Sequence, residues 1–193
     1  EFAQAVAQKL GVEAQFIEID WDNKFFELDS KAIDCIWNGM TITEEVQRNT
    51  SVSDPYVKNA QVVVMPKDTA EGYDAVELLQ GLRFAVEAGS AGEAAVKDLT
   101  GVTSTAVQSQ ASALMEVAAG TADACVIDIT MANAMTGPGT GYENLVIAME
   151  LSSEEYGIGF RKDSDLTQKV NGIMKDLMAD GTLDALAAKY SLT

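Results

Sequence analysis

The stretch Ser53-Asp54-Pro55-Tyr56-Val57-Lys58-Asn59-Ala60-Gln61-Val62-Val63-Val64-Met65-Pro66-Lys67-Asp68 separates a first series of alternating helices and strands from a second. Ser53 to Tyr56 is a break, Ala60 to Met65 is an apolar run of strand length, and Pro66-Lys67-Asp68 closes it. Upstream, Phe2, Val6 and Leu10 recur every four residues and Gly11 follows, which predicts a helix over 1–10. A strand over 12–19, a short helix around Phe25 to Leu28, a strand over 32–37 and a helix starting at Thr43-Glu44-Glu45 follow. Downstream the alternation restarts: helix 74–79, strand 83–88, helices 92–99 and 112–119, strand 124–127. Strands over 144–149 and 156–161 come next, then two closing helices over 166–179 and 182–190. Alternation of this kind argues for an α/β fold with parallel sheets covered by helices. Ala32-Ile33-Asp34-Cys35-Ile36 and Ala122-Asp123-Ala124-Cys125-Val126 read alike, as equivalent strands of two lobes would.

Composition removes several functions. The 193 residues carry 13 Lys plus Arg against 30 Asp plus Glu, a formal net charge of -17. Such a chain repels a phosphate backbone and an anionic lipid surface, so no nucleic-acid partner is expected. It holds no His, which excludes Ser-His-Asp and Cys-His catalysis and imidazole metal ligands. Cys35 and Cys125 are 90 positions apart without ligand spacing, and both sit in apolar runs. They read as small buried thiols, and neither metal nor cofactor is expected. The longest apolar runs are too short for a membrane span.

Three short segments resemble the amino-acid-binding members of the periplasmic, type II solute-binding proteins of ABC importers. They are Gly39-Met40-Thr41-Ile42-Thr43-Glu44-Glu45 with Ser53-Asp54-Pro55-Tyr56, Val86 to Glu93, and Ala122 to Asp128. Glu155 to Lys162 and Asp180 to Tyr190 continue the likeness to the end of the chain. The resemblance implies two lobes of helix-covered, mainly parallel sheet joined by a two-strand hinge, with residues 1–57 and 156–193 in lobe 1 and 58–155 in lobe 2. It also implies an extracytoplasmic receptor that closes on a small polar ligand, most simply an amino acid, in an interlobe cleft and delivers it to an ABC permease. The family's chain starts one strand and one loop earlier, so an N-terminal strand is expected before Glu1.

Within that frame the binding residues are expected to be Trp21, Trp37, Gly39, Thr41, Gly89, Ser90, Ala91 and Asp128. Gly89-Ser90-Ala91 leads into a helix, where free backbone N–H groups and a hydroxyl form a seat for a carboxylate; the plainer reading is that Ser90 only caps its helix. Asp128 ends an apolar strand and matches the position where the family pairs the ligand's ammonium, unless it simply caps the next helix. Trp21 and Trp37 offer aromatic faces to a ligand or are core residues. Gly39 would offer its carbonyl and Thr41 its hydroxyl and N–H.

One position departs from the family. Three residues after Thr43, where an Arg normally grips the ligand's α-carboxylate, this chain has Val46. Arg48 lies two residues on, about 200° around a helix. The ligand is therefore an amino acid held by the Gly89 loop without Arg, or an amine lacking the α-carboxylate, or the binding is lost. Restoring the side chain with Val46→Arg is expected to raise amino-acid affinity. Enzymatic relatives on this fold, which are dehydratases, and sensor domains are the alternatives; Glu87 and Glu155 are the candidate acids, without a readable acid/base pair.

Overall fold

The computed structural model describes residues 1–190 and 192. In chain order its elements are α1 (Phe2–Leu10), α2 (Lys24–Asp29), β1 (Cys35–Thr41), α3 (Glu44–Asn49), β2 (Ser51–Val52), β3 (Val57–Pro66), α4 (Lys67–Ala70), β4 (Arg83–Glu87) and α5 (Ala91–Lys97). They continue as β5 (Thr103–Val107), α6 (Gln110–Ala118), β6 (Ala124–Asp128), α7 (Ile129–Met135), β7 (Leu145–Phe160), α8 (Leu166–Ala179) and α9 (Thr182–Lys189). Two compact units result. Unit 1 comprises residues 1–19, 24–58 and 155–193; unit 2 comprises 20–23 and 59–154. The chain passes from one to the other within β3 and again within β7.

In unit 1, β1 and β2 both pair antiparallel with the second half of β7, Thr41 opposite Tyr156 and Val52 opposite Gly159. The apolar stripe of α1 packs with Ile158 and Phe160 of β7 and with Val170, Met174 and Leu177 of α8. Those α8 positions recur at helical spacing, so one face is buried while the other stays polar. Gly11 ends α1 in the left-handed conformation, with φ of 71°, and its N–H reaches back to the last turn.

In unit 2 the strand order is β7-β3-β6-β4-β5. β4 runs parallel to both β5 and β6, whereas β3 runs antiparallel to β6. Both faces of this sheet are covered. Val62, Val64, Cys125 and Ile127 pack on the α6 side, and Val63, Met65, Ala124 and Val126 pack with Val96 of α5. The period of two along a strand thus supplies two cores at once, which is why β3 reads as a continuous apolar run.

Several expectations are corrected. The sheet is mixed, not mainly parallel, because the two crossing strands run antiparallel to the neighbours named above. Residues 12–19 form no strand: Val12, Phe16 and Ile17 are exposed, and no described strand supplies the ladder that an extended backbone needs. The expected strands 144–149 and 156–161 are one continuous strand, β7. Residues 76–79 form only a short 3₁₀ turn. β5 was not expected, since its Thr-Ser-Thr-Ala-Val sequence lacks apolar alternation; it sits at the edge of the sheet and is largely exposed. Residues 20–23, expected in lobe 1, associate with unit 2.

Candidate functional site

The parallel register of β4 and β6, with Val86 opposite Val126, brings the loop after Glu87 and the residue Asp128 to the same end of the unit 2 sheet. The carboxyl ends of parallel strands are where open α/β sheets bind ligands. The expected acid and the expected anion loop are therefore neighbours within one unit.

Asp128 is only 6% exposed. Its Oδ1 accepts from Asn59 Nδ2 at 2.8 Å and from Gln61 Nε2 at 2.6 Å. Its Oδ2 accepts from Gln110 Nε2 at 2.6 Å, while Gln110 Oε1 accepts from the Asp128 N–H at 3.1 Å. The side chain does not cap α7. All these partners are neutral amides, so the negative charge is solvated but not neutralised. Asn59 and Gln61 stand two apart on β3 and so share a face, and Gln61 lies directly opposite Asp128 on β6.

Each carboxamide spends its second hydrogen on another acid. Glu154 Oε1 accepts from Asn59 Nδ2 at 2.6 Å and from Gln61 Nε2 at 2.7 Å. Two carboxylates are thus joined by two bridging NH2 groups. This arrangement settles the orientation of both amides, because an oxygen turned toward the acids would meet only acceptors. The sequence reading missed Asn59, Gln61 and Gln110. The available signal was two carboxamides at alternate positions in an otherwise apolar strand.

At the neighbouring strand end, Gly89 has φ of 68°. A Cβ there would lie 2.9 Å from Asp22 Cα, so both conformation and space require glycine. Asp22 belongs to the short turn Trp21–Asn23, which rests on this loop; Gln108 Nε2 fastens it by donating to Asp20 Oδ1 at 2.9 Å. Trp21 is half-buried within the turn. The plainer reading of Ser90 is also satisfied: its Oγ accepts from the Glu93 N–H at 3.0 Å. Glu93 Oε2 in turn accepts from the Gly89 N–H at 3.0 Å. Ala91 and Gly92 hold the first two helical positions of α5, where the helix offers their N–H groups no acceptor.

Trp37, Gly39 and Thr41 lie on β1 of unit 1. Trp37 meets Phe2 edge-on with ring centres 5.0 Å apart, in the packing of a core residue. Gly39, with φ of 64°, and Asn38 interrupt the β1–β7 ladder between Ile36 and Met40. Thr41 is buried at the end of β1. Thr43 caps α3 by accepting from the Val46 N–H at 3.1 Å, and Val46 is buried. Arg48 does not take its place: its side chain is 70% exposed and pairs with Glu44 at 3.5 Å.

Among the described residues no group of three or more acids and cysteines could hold a metal ion, and no helix is long and apolar enough to cross a membrane. A buried carboxylate solvated by neutral donors is suited to receive a cation, because the interior magnifies an attraction that water would screen.

A family model for bacterial extracellular solute-binding proteins, family 3, matches residues 1–193. The chain belongs to that family. Among its relatives, the arginine-binding extracellular protein ArtP of Bacillus subtilis (strain 168) is 30% identical, the alignment covering 98% of this chain and 75% of ArtP. The L-cystine-binding protein TcyJ of Escherichia coli (strain K12) is 29% identical over 98% of this chain and 72% of its own. Among solved structures, the P235GK mutant of ArgBP from T. maritima superposes with a TM-score of 0.89 at 35% identity, covering 98% of this chain and 82% of that one. The ancestral amino acid-binding protein AncCDT-1, a precursor of cyclohexadienyl dehydratase, gives 0.87 at 31%, covering 97% and 81%. As a family 3 member the chain is an extracytoplasmic solute-binding protein.

Proposed function

We propose that this chain captures a free amino acid at the carboxyl ends of β4 and β6 and presents it to an ABC permease, working in the periplasm or tethered at the outer face of the cytoplasmic membrane. The observation that carries the reading is Asp128, a buried carboxylate whose side-chain hydrogen-bond donors are all neutral amides, one strand away from the start of α5. The ligand's ammonium neutralises Asp128, and its carboxylate takes the N–H groups of Ala91 and Gly92 with the Ser90 hydroxyl. Trp21, on the turn against Gly89, covers the ligand, while Trp37 serves the core of unit 1.

The names of the relatives favour a basic amino acid, with L-arginine the first ligand to test. Binding rather than catalysis suits the geometry, since both Asp128 oxygens are tied to amide donors that fix the group in place. Calorimetric titration with the standard amino acids tests the reading. A ligand at 100 times its dissociation constant stabilises the fold by about 2.7 kcal/mol, so a thermal shift should accompany the heat. L-arginine is expected to bind and to be recovered unchanged. Failure of every amino acid to bind, or turnover of the one that does, would overturn the proposal.

A further inference from the structure

Asn59 and Gln61 perform the same two donations, to Asp128 Oδ1 and to Glu154 Oε1, and differ only in where their oxygens go. Gln61 Oε1 lies against the backbone at the start of α5, 3.0 Å from the point a Cβ on Gly92 would occupy. Asn59 Oδ1 is buried and has no hydrogen-bond partner, the one such side-chain atom among the described residues, in a side chain whose residue is 4% exposed. Leaving a buried carbonyl oxygen unpaired destabilises a fold, so it calls for an explanation. Reversing the amide does not relieve it, because the oxygen would then face two carboxylates. The atom is also close to the acid: the two termini of a carboxamide are about 2.2 Å apart, which places Asn59 Oδ1 within about 5 Å of Asp128 Oδ1.

We propose that Asn59 Oδ1 is a specificity-determining acceptor that takes an N–H of the ligand's ammonium beside Asp128, so that the site selects a primary ammonium over an N-alkylated one. A primary ammonium has three hydrogens to distribute. Asp128 alone satisfies one or two, and its Oδ1 is already shared by two amide donors. A second acceptor of fixed position converts a general attraction for positive charge into a count of N–H groups. An N-methyl group placed toward Asn59 would leave the oxygen unpaired and crowd it, and rejection of that kind is stronger than anything an apolar wall provides.

The inference rests on the reading that Asp128 receives the ammonium, and the test separates the two. Titrations of L-arginine and Nα-methyl-L-arginine are compared for the wild-type chain, Asn59→Ala and Gln61→Ala. Both variants remove the same pair of donations to the acids, so both weaken arginine binding. The wild type and Gln61→Ala are expected to prefer arginine over its Nα-methyl form by at least tenfold, while in Asn59→Ala that ratio falls to within about threefold of unity. A preference that survives intact in Asn59→Ala, as it would if an internal water satisfied the oxygen, overturns this inference and leaves the receptor reading standing. A wild type that binds neither compound removes the arginine assignment and this inference with it.

Discussion

Gln61 Oε1 sits 3.0 Å from where a Cβ on Gly92 would stand, so the residue that holds Asp128 also walls the first turn of α5. The backbone oxygen of Val126 is nearer still, at 2.8 Å from the same point. One glycine thus lets the acid and the anion loop approach each other. Gly92→Ala gains about 1 kcal/mol of helix propensity but must push strand backbone aside, and the net is a loss of about 1–2 kcal/mol. Chemical denaturation measures the loss, and calorimetry should show weakened ligand binding alongside it.

Arg48 cannot stand in for the arginine that the family resemblance implies at position 46. It points into solvent from a regular helix and pairs with Glu44. Arg48→Ala is expected to leave ligand affinity within twofold and stability within about 0.5 kcal/mol of the wild type. A larger fall in affinity would mean that Arg48 contacts the ligand. The buried position of Val46 also revises the expectation for Val46→Arg: the new cation must leave an apolar site before it can reach a ligand, so stability falls.

Both thiols should be inert in the folded protein. Burial pushes Cys125 up to about 12, and burial together with Asp34 pushes Cys35 up to about 11. Because the thiolate is the nucleophile, iodoacetamide at pH 8 is expected to leave both unmodified in the native state and to label both after denaturation. Rapid native labelling of either would contradict the packing.

Acid should remove one surface contribution selectively. Arg83 donates to both carboxylate oxygens of Asp123, at 2.8 and 3.0 Å, and holds that acid below its ordinary range. A depressed acid stabilises the fold above the unfolded value of about 3.9 and loses that contribution as pH falls through the folded one. Asp123→Asn should therefore melt slightly below the wild type at pH 7, and the difference should shrink as pH falls below about 3.9. The pair is half-exposed, so the deficit is small.

What could be read before the structure was the position of strand ends. The apolar run Ala124 to Ile127 stops at Asp128, and Arg83 to Ala88 stops at Gly89, which is enough to place an acid and a glycine loop at strand termini. Their partners could not be read, because they depend on β3 pairing antiparallel with β6: Asn59 and Asp128 are 69 positions apart. Trp37 illustrates the opposite failure, since an aromatic beside a turn looks the same whether it covers a ligand or, as here, packs on Phe2. Residues 12–19 carry the composition of a strand, but strand structure belongs to a ladder and not to a segment.

The crystal structure of the chain bound to L-arginine tests the central claim most directly. The account predicts the ligand's α-nitrogen within about 3 Å of Asp128 and its carboxylate on the N–H groups of Ala91 and Gly92. An arginine bound in the crystal with its carboxylate elsewhere, and no nitrogen in contact with Asp128, would contradict it.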